Sequence, residues 1–217
     1  MWAFYAPEPR MRLNLGIRRR LAPLLDNDRE RIELANSLLF TLPGAPVVYS
    51  GDEIGMGDNI WLDDRDGVRT PMQWSAGRNA GFSSADGEDL YCEPIDDEVY
   101  GYERVNVAAQ HAQSGSLWRR MQQMIATRKA HPALGGGEAQ FLEVGNRAIL
   151  PILRIHSEET ILAVHNLSAE ELMVELDLAE FSGREPVDLL RGEALPAVAE
   201  GPYRIALVRY GYRWLRL

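Results

Sequence analysis

A single cysteine, a single lysine and no long apolar run set the first limits on this sequence of 217 residues. Cys92 has no partner for an intrachain disulfide, which excludes a disulfide-stapled secreted module and points to a cytoplasmic setting. No apolar stretch approaches the roughly 20 residues that span a bilayer. The opening residues MWAFYAPEPRMR also lack the basic, apolar, small-residue order of a signal peptide, so no membrane partner is expected. Positive charge is in deficit: 23 basic residues face 32 acidic ones, a formal net charge of −9. That balance argues against a general nucleic-acid binder. His111, His131, His156 and His165 stand at no metal-ligand spacing from one another or from Cys92, so neither a metal site nor a cofactor is expected.

Hydrophobic residues at 46% and charged residues at 25% are ordinary for a folded chain. Residues 10–42 read as helical with one interruption. Leu13, Ile17, Leu21 and Leu24 recur at helical spacing, and Pro23 with Asp26–Asn27–Asp28 closes the segment. Asn27 and Glu30 form a candidate capping box for a second helix that Pro43–Gly44 stops. The run Pro46–Val47–Val48–Tyr49 is short, apolar and β-branched, as in a buried strand of a parallel sheet. Residues 51–110, rich in Asp, Gly and Asn, read as one long loop, and loops of that length are usually functional. Ser116 then caps a helix that His131–Pro132 ends. Gly135–Gly136–Gly137 reads as a hinge, followed by short apolar runs at 148–155, 160–166, 172–178, 186–190, 203–208 and 212–217. The expected organisation is a mixed α/β part over 1–134 and an antiparallel sandwich or barrel over 135–217. The lone parallel-type strand has nothing visible to pair with, which marks the first part as a piece of a larger fold.

The loop concentrates the chemistry. It sets Asp52, Glu53, Asp58, Asp63, Asp64 and Asp66 beside Arg65 and Arg69, with Trp61 and Trp74 nearby. Carboxylates and guanidiniums that bond hydroxyls, with aromatic faces for stacking, suit a sugar site. Structural ion pairs within an Asp/Gly-rich loop account for the same composition. Arg65, Asp66 and Arg69 are the candidate substrate contacts. Asp52 and Glu53 are adjacent and point opposite ways at a strand end, so they read as loop support rather than a catalytic pair. Arg18–Arg19–Arg20 reads as a solvated helix face paired with Asp26, Asp28 or Glu30.

The segments NLGIRRRLAPLLDND, LLFTLPGAPVVYSGDEIGMGDNIW and RDGVRTPMQWS, continuing through RVNVAAQ, resemble the trehalose synthases (maltose α-D-glucosyltransferases) of the α-amylase superfamily of glycoside hydrolases. The block at 69–74 resembles oligo-1,6-glucosidases and related α-glucosidases as well. The resemblance implies the end of a (β/α)8 barrel followed by an antiparallel β-sandwich. Residues 12–42 would follow the seventh strand, Pro46–Tyr49 would be the eighth, and the 51–110 loop would lie at the face that carries barrel active sites. It also implies maltose- or trehalose-type α-glucosides as ligands, and an arginine of this loop, Arg69 or Arg65, closing the sugar pocket.

Retaining glycoside chemistry needs two carboxyl groups about 5–5.5 Å apart. The family carries them before this region, and neither its Gly-x-Arg-x-Asp pattern nor its Asn-His-Asp triplet occurs here. No catalytic residue is therefore assigned. The chain is expected to need an N-terminal barrel portion, in cis or in trans, and to be silent alone; a homo-oligomer is a further open expectation. Ser50 and Asp63 stand where the family usually has tyrosine and glycine. An α-glucosidase part, or a binding remnant without catalysis, remain the other readings.

Overall fold

The computed structural model describes residues 1–217, and the chain divides into two compact units. The first comprises Met1–Ile32 and Val48–Met121, the second Glu33–Val47 and Gln122–Leu217. In chain order the elements are α1 (Trp2–Tyr5), β1 (Arg12–Leu13), β2 (Gly16–Ile17), α2 (Leu21–Leu24), α3 (Arg29–Thr41), α4 (Val107–Ala112), α5 (Leu117–Ala130) and α6 (Pro132–Gly136). Eight strands follow: β3 (Glu138–Phe141), β4 (Ile149–His156), β5 (Glu159–Asn166), β6 (Leu172–Leu176), β7 (Val187–Asp188), β8 (Glu193–Ala194), β9 (Tyr203–Leu207) and β10 (Tyr212–Arg216). No helix is long and apolar enough to cross a membrane.

Several local expectations are corrected. The first predicted helix is instead a two-residue hairpin, β1 with β2, followed by the short α2. Asn14 adopts φ 53°, a left-handed turn that helical periodicity cannot accommodate. Asp28, not Asn27, caps α3: its Oδ1 accepts from the Glu30 and Arg31 amides at 3.0 and 3.2 Å. Asn27 itself sits at φ 54° and is outside the helix. Residues 45–49 form no strand, because a strand needs a laddered neighbour and this segment has none. Val47 is 81% exposed there. Gly135 and Gly136 lie inside α6 rather than in a free hinge. The Ser116 cap is present, with Oγ accepting from the Arg119 amide at 3.2 Å.

The 51–110 segment contains no strand and is built from 3-10 turns at 52–54, 66–68, 78–81 and 87–89, ending in α4. Gln73 is fully buried and ties the segment together, donating from Nε2 to the carbonyls of Tyr100 and Val105. Gln110 extends the tie by donating to the Ile54 carbonyl.

The second unit is an antiparallel assembly. One sheet has the order β3-β4-β5-β10-β7-β8, and a second pairs β6 with β9. Register alternates the side chains cleanly. Leu153, Leu162 and Leu215 align across β4, β5 and β10 and enter one core with Val174, Leu176, Ile205 and Leu207 of the smaller sheet. Ile152, Ala163 and Trp214 align on the opposite face. That face meets the second half of α3: Trp214 Nε1 donates to Ser37 Oγ at 2.8 Å, and Arg154 donates to the Thr41 carbonyl. β4 and β5 are therefore buried on both faces, which is why their sequences run continuously apolar instead of alternating with polar residues.

His165 occupies the same buried layer. Its Nε2 is 3.0 Å from Ser37 Oγ and its Nδ1 is 3.3 Å from the Leu150 carbonyl. Burial pushes its pKa down to about 4. The unfolded chain then binds more protons between about pH 4 and 6.5, so stability falls as pH drops through that window. We expect wild type to lose about 3 kcal/mol more than His165→Gln between pH 7 and pH 4 in urea unfolding. Parallel curves for the two proteins would contradict the assignment.

Candidate functional site

The loop is anchored at its start by three consecutive arginines. Arg18, Arg19 and Arg20 follow β2 outside any helix or strand, so they do not share one helix face. Arg18 is 8% exposed and donates to the carbonyls of Arg10, Ile60, Leu62 and Asp64. Arg19 Nε meets both oxygens of the buried Asp58 carboxylate at 3.0 and 2.9 Å. The Arg20 amide donates to Asp58 Oδ2 at 2.7 Å, and its Nη1 donates to the Ser50 carbonyl at 2.6 Å. Arg20 also lies 4.9 Å from the Tyr49 ring centroid and 3.7 Å from Asp52 Oδ1. The expected solvated face paired with Asp26, Asp28 or Glu30 is thus corrected: only the later Arg31 pairs with Asp26. A helical reading hid this role, since charge runs on helices are usually solvated.

Asp52 and Glu53 are both committed to the anchor. Glu53 Oε2 accepts from the Gly51 amide at 2.7 Å. Burial raises the Asp52 pKa to about 6 against the opposing pull of Arg20. Asp52 Oδ1 and Arg20 Nε are buried without hydrogen-bond partners. Gly51, at φ +98°, is required here: a Cβ would lie 2.4 Å from Met56 Sδ and 2.9 Å from Arg20 Nη1.

The three candidate substrate contacts fall on one 3-10 turn, Asp66–Val68, and its flanks. Arg65 is half exposed and lies 3.7 Å from the neighbouring Asp64 carboxylate. Asp66 is partly buried, and after burial itself its charge is the largest influence raising the Cys92 thiol. Arg69 is exposed, and its side chain makes no hydrogen bond or ion pair within the chain. The turn is fixed from below by Gly67, whose carbonyl accepts from the Asn59 amide at 2.8 Å. A Cβ on Gly67 would sit 2.2 Å from the Asn59 carbonyl oxygen, so only glycine permits this approach. Trp61 is 72% exposed with the Arg10 guanidinium 5.3 Å from its centroid, and Trp74 is 50% exposed. Exposed guanidiniums, a carboxylate and open indole faces on one rigid loop can hydrogen-bond hydroxyls and stack on a pyranose ring.

The family described as Alpha amylase, catalytic domain, matches residues 18–137, and that described as Maltogenic Amylase, C-terminal domain, matches residues 139–214. A trehalose synthase from Pimelobacter sp. is 51% identical over 221 residues, covering 100% of this chain and 39% of that protein. The trehalose synthase/amylase TreS of Mycobacterium tuberculosis is 50% identical, covering 100% of this chain and 37% of its own length. The chain therefore spans less than two fifths of these relatives. The solved structure of the trehalulose synthase MutB from Pseudomonas mesoacidophila superposes with a TM-score of 0.69 over 93% of this chain and 42% of that one. At 22% identity it speaks to the fold alone.

The raised Asp52 pKa gives a direct check. A carboxyl that binds its proton more tightly when folded favours folding at low pH, and that contribution is lost as pH rises through about 6. We expect the Asp52 side-chain carbon to titrate near pH 6 by NMR, and higher in Arg20→Met, where the opposing cation is gone. A midpoint in the ordinary carboxylate range in wild type would contradict the buried pair.

Proposed function

The chain belongs to the α-amylase family, and on that premise we propose that it supplies the C-terminal part of a trehalose synthase. Such an enzyme interconverts maltose and trehalose by retaining intramolecular glucosyl transfer. The observation that carries this reading is the extent of the likeness: 51% identity runs over the whole chain, through loop and sheets alike. A likeness confined to residues 69–74 would leave the α-glucosidases equally favoured.

In this reading, residues 1–134 complete the (β/α)8 barrel, with Pro46–Tyr49 as its eighth strand once neighbouring strands supply the ladder. The exposed Val47 and unpaired backbone of that segment support the assignment. Residues 135–217 form the antiparallel β-sandwich domain. The 51–110 loop walls the pocket at the face where barrel strands end. Arg65, Asp66 and Arg69 bind hydroxyls of the α-glucoside, and the free guanidinium of Arg69 is the group best placed to do so.

The reacting carboxyl groups, a nucleophile and a general acid/base about 5–5.5 Å apart, come from barrel portions other than these residues. Asp52 and Glu53 do not substitute, because each is tied to the loop anchor. The chain alone is accordingly silent, and its contribution is to bind the sugar and keep water from the glucosyl intermediate. A cytoplasmic setting agrees with its single cysteine.

A chimera tests this directly: the matching segment of the Pimelobacter trehalose synthase is replaced by this chain and assayed with maltose. We expect trehalose as the main product and none from the isolated chain. Arg69→Ala in the chimera should reduce turnover about 10- to 100-fold, the value of a charged hydrogen bond worth about 1.5–3 kcal/mol. A folded chimera that releases only glucose would favour the α-glucosidase reading, and turnover by the isolated chain would overturn the division of labour.

A further inference from the structure

The second unit holds a cavity of about 510 Å³ that shares no residue with the 51–110 loop. Phe40 at the end of α3, Ile125 on α5 and Pro132 at the start of α6 give it apolar walls, while Arg128, Lys129 and His156 bring nitrogen donors. None of the lining residues is a carboxylate.

The cations here lack counter-ions. Several arginines elsewhere in the chain meet acids, Arg19 with Asp58, Arg31 with Asp26 and Arg213 with Asp188, while Arg18 is satisfied by carbonyls alone. Arg128 donates only to the backbone carbonyls of Phe40 and Gly44. Arg154, which does not line the cavity, is 1% exposed and donates only to the carbonyls of Thr41 and Gly137. Burial, and after it the charge of Arg128, makes Arg154 harder to protonate. Lys129 has no ion pair. His131 is the one lining group with an acid beside it, Nδ1 lying 2.7 Å from Glu159 Oε2. Partial burial of two guanidiniums without a carboxylate is costly, and carbonyl dipoles offset only part of that cost.

A guanidinium offers five N–H donors, and Arg128 spends two on carbonyls, leaving three for a ligand. Lys129 adds up to three more from its ammonium group. A phosphate, with several oxygens and a charge near −2, uses such a set better than a carboxylate does. The volume falls within the range of small-molecule sites, roughly 300–1,000 Å³, and the apolar walls ask for more than a bare ion. We propose that this cavity binds a small organic phosphate, its phosphate held by Arg128 and Lys129 and its apolar body against Phe40, Ile125 and Pro132.

The test is calorimetric titration of the 217-residue chain with phenyl phosphate, inorganic phosphate and phenol as separate probes. We expect one phenyl phosphate per chain with a Kd below about 1 mM, and at least about tenfold weaker binding of either fragment. Lys129→Met should weaken phenyl phosphate about tenfold or more; its side chain is exposed, so folding is unaffected, and circular dichroism verifies this. Because Lys129 is the only lysine, a second readout is available: phenyl phosphate should slow its acetylation as followed by peptide mass spectrometry. Absence of both heat and protection overturns the proposal, as does equal affinity in Lys129→Met. Inorganic phosphate binding as tightly as phenyl phosphate would overturn the role of the apolar walls.

Discussion

The carbonyls of Ile60, Leu62 and Asp64, that of Arg10 and the buried carboxylate of Asp58 need donors, and Arg18, Arg19 and Arg20 supply them. A segment with no strand and no long helix satisfies only part of its own backbone through turns, and donors from outside it meet some of the rest. Arginine suits the task because its rigid fork can meet several carbonyls from one side chain, and Arg18 alone meets four. Gly51 and Gly67 follow from the same constraint: where backbone packs that closely on side chains and carbonyls, a Cβ has no room. The exposed turn bearing Arg65, Asp66 and Arg69 inherits its rigidity from this anchor, through the Asn59–Gly67 contact. Groups held in place this way are what the proposed sugar site requires.

The second unit reaches stability by a different route. Its sheet is covered on both sides, by the β6–β9 pair and by the second half of α3, so hydrophobic burial does most of the stabilising. The polar groups admitted to that interior are hydrogen-bonded: Trp214 and His165 both meet Ser37, and Asn166 donates to the carbonyls of Glu170 and Val208. The unpaired guanidinium nitrogen of Arg154 departs from this pattern.

Much of this architecture was legible before any coordinates. Ser116 as a cap and Pro43–Gly44 as a stop carry their meaning locally, and the apolar runs from 148 onward fell within a residue or two of β4, β5 and β10. Pattern failed where a tertiary neighbour decides the outcome. Pro46–Tyr49 has the composition of a strand, but a ladder needs a partner. Leu13, Ile17, Leu21 and Leu24 repeat at helical spacing across a left-handed Asn14 that makes a helix impossible. Three adjacent arginines look like solvated surface to any local reading, because the carbonyls they serve lie about 40 residues downstream. Of the candidate site, the turn at 65–69 was visible from its residue types; its anchor was not, since carbonyls leave no mark in a sequence.

The measurement that bears most directly on that anchor is native-state hydrogen exchange on Arg18→Met beside wild type. The amides of Asn59, Asp66 and Arg69, bonded to Gly67, Asp63 and Asp66, report the loop, and those of β4 and β5 report the sheet. If Arg18 holds the loop, exchange at the three loop amides should quicken by about tenfold or more while the sheet stays protected. Loop protection equal to wild type would show that the segment keeps its shape without the arginine anchor and would contradict the account.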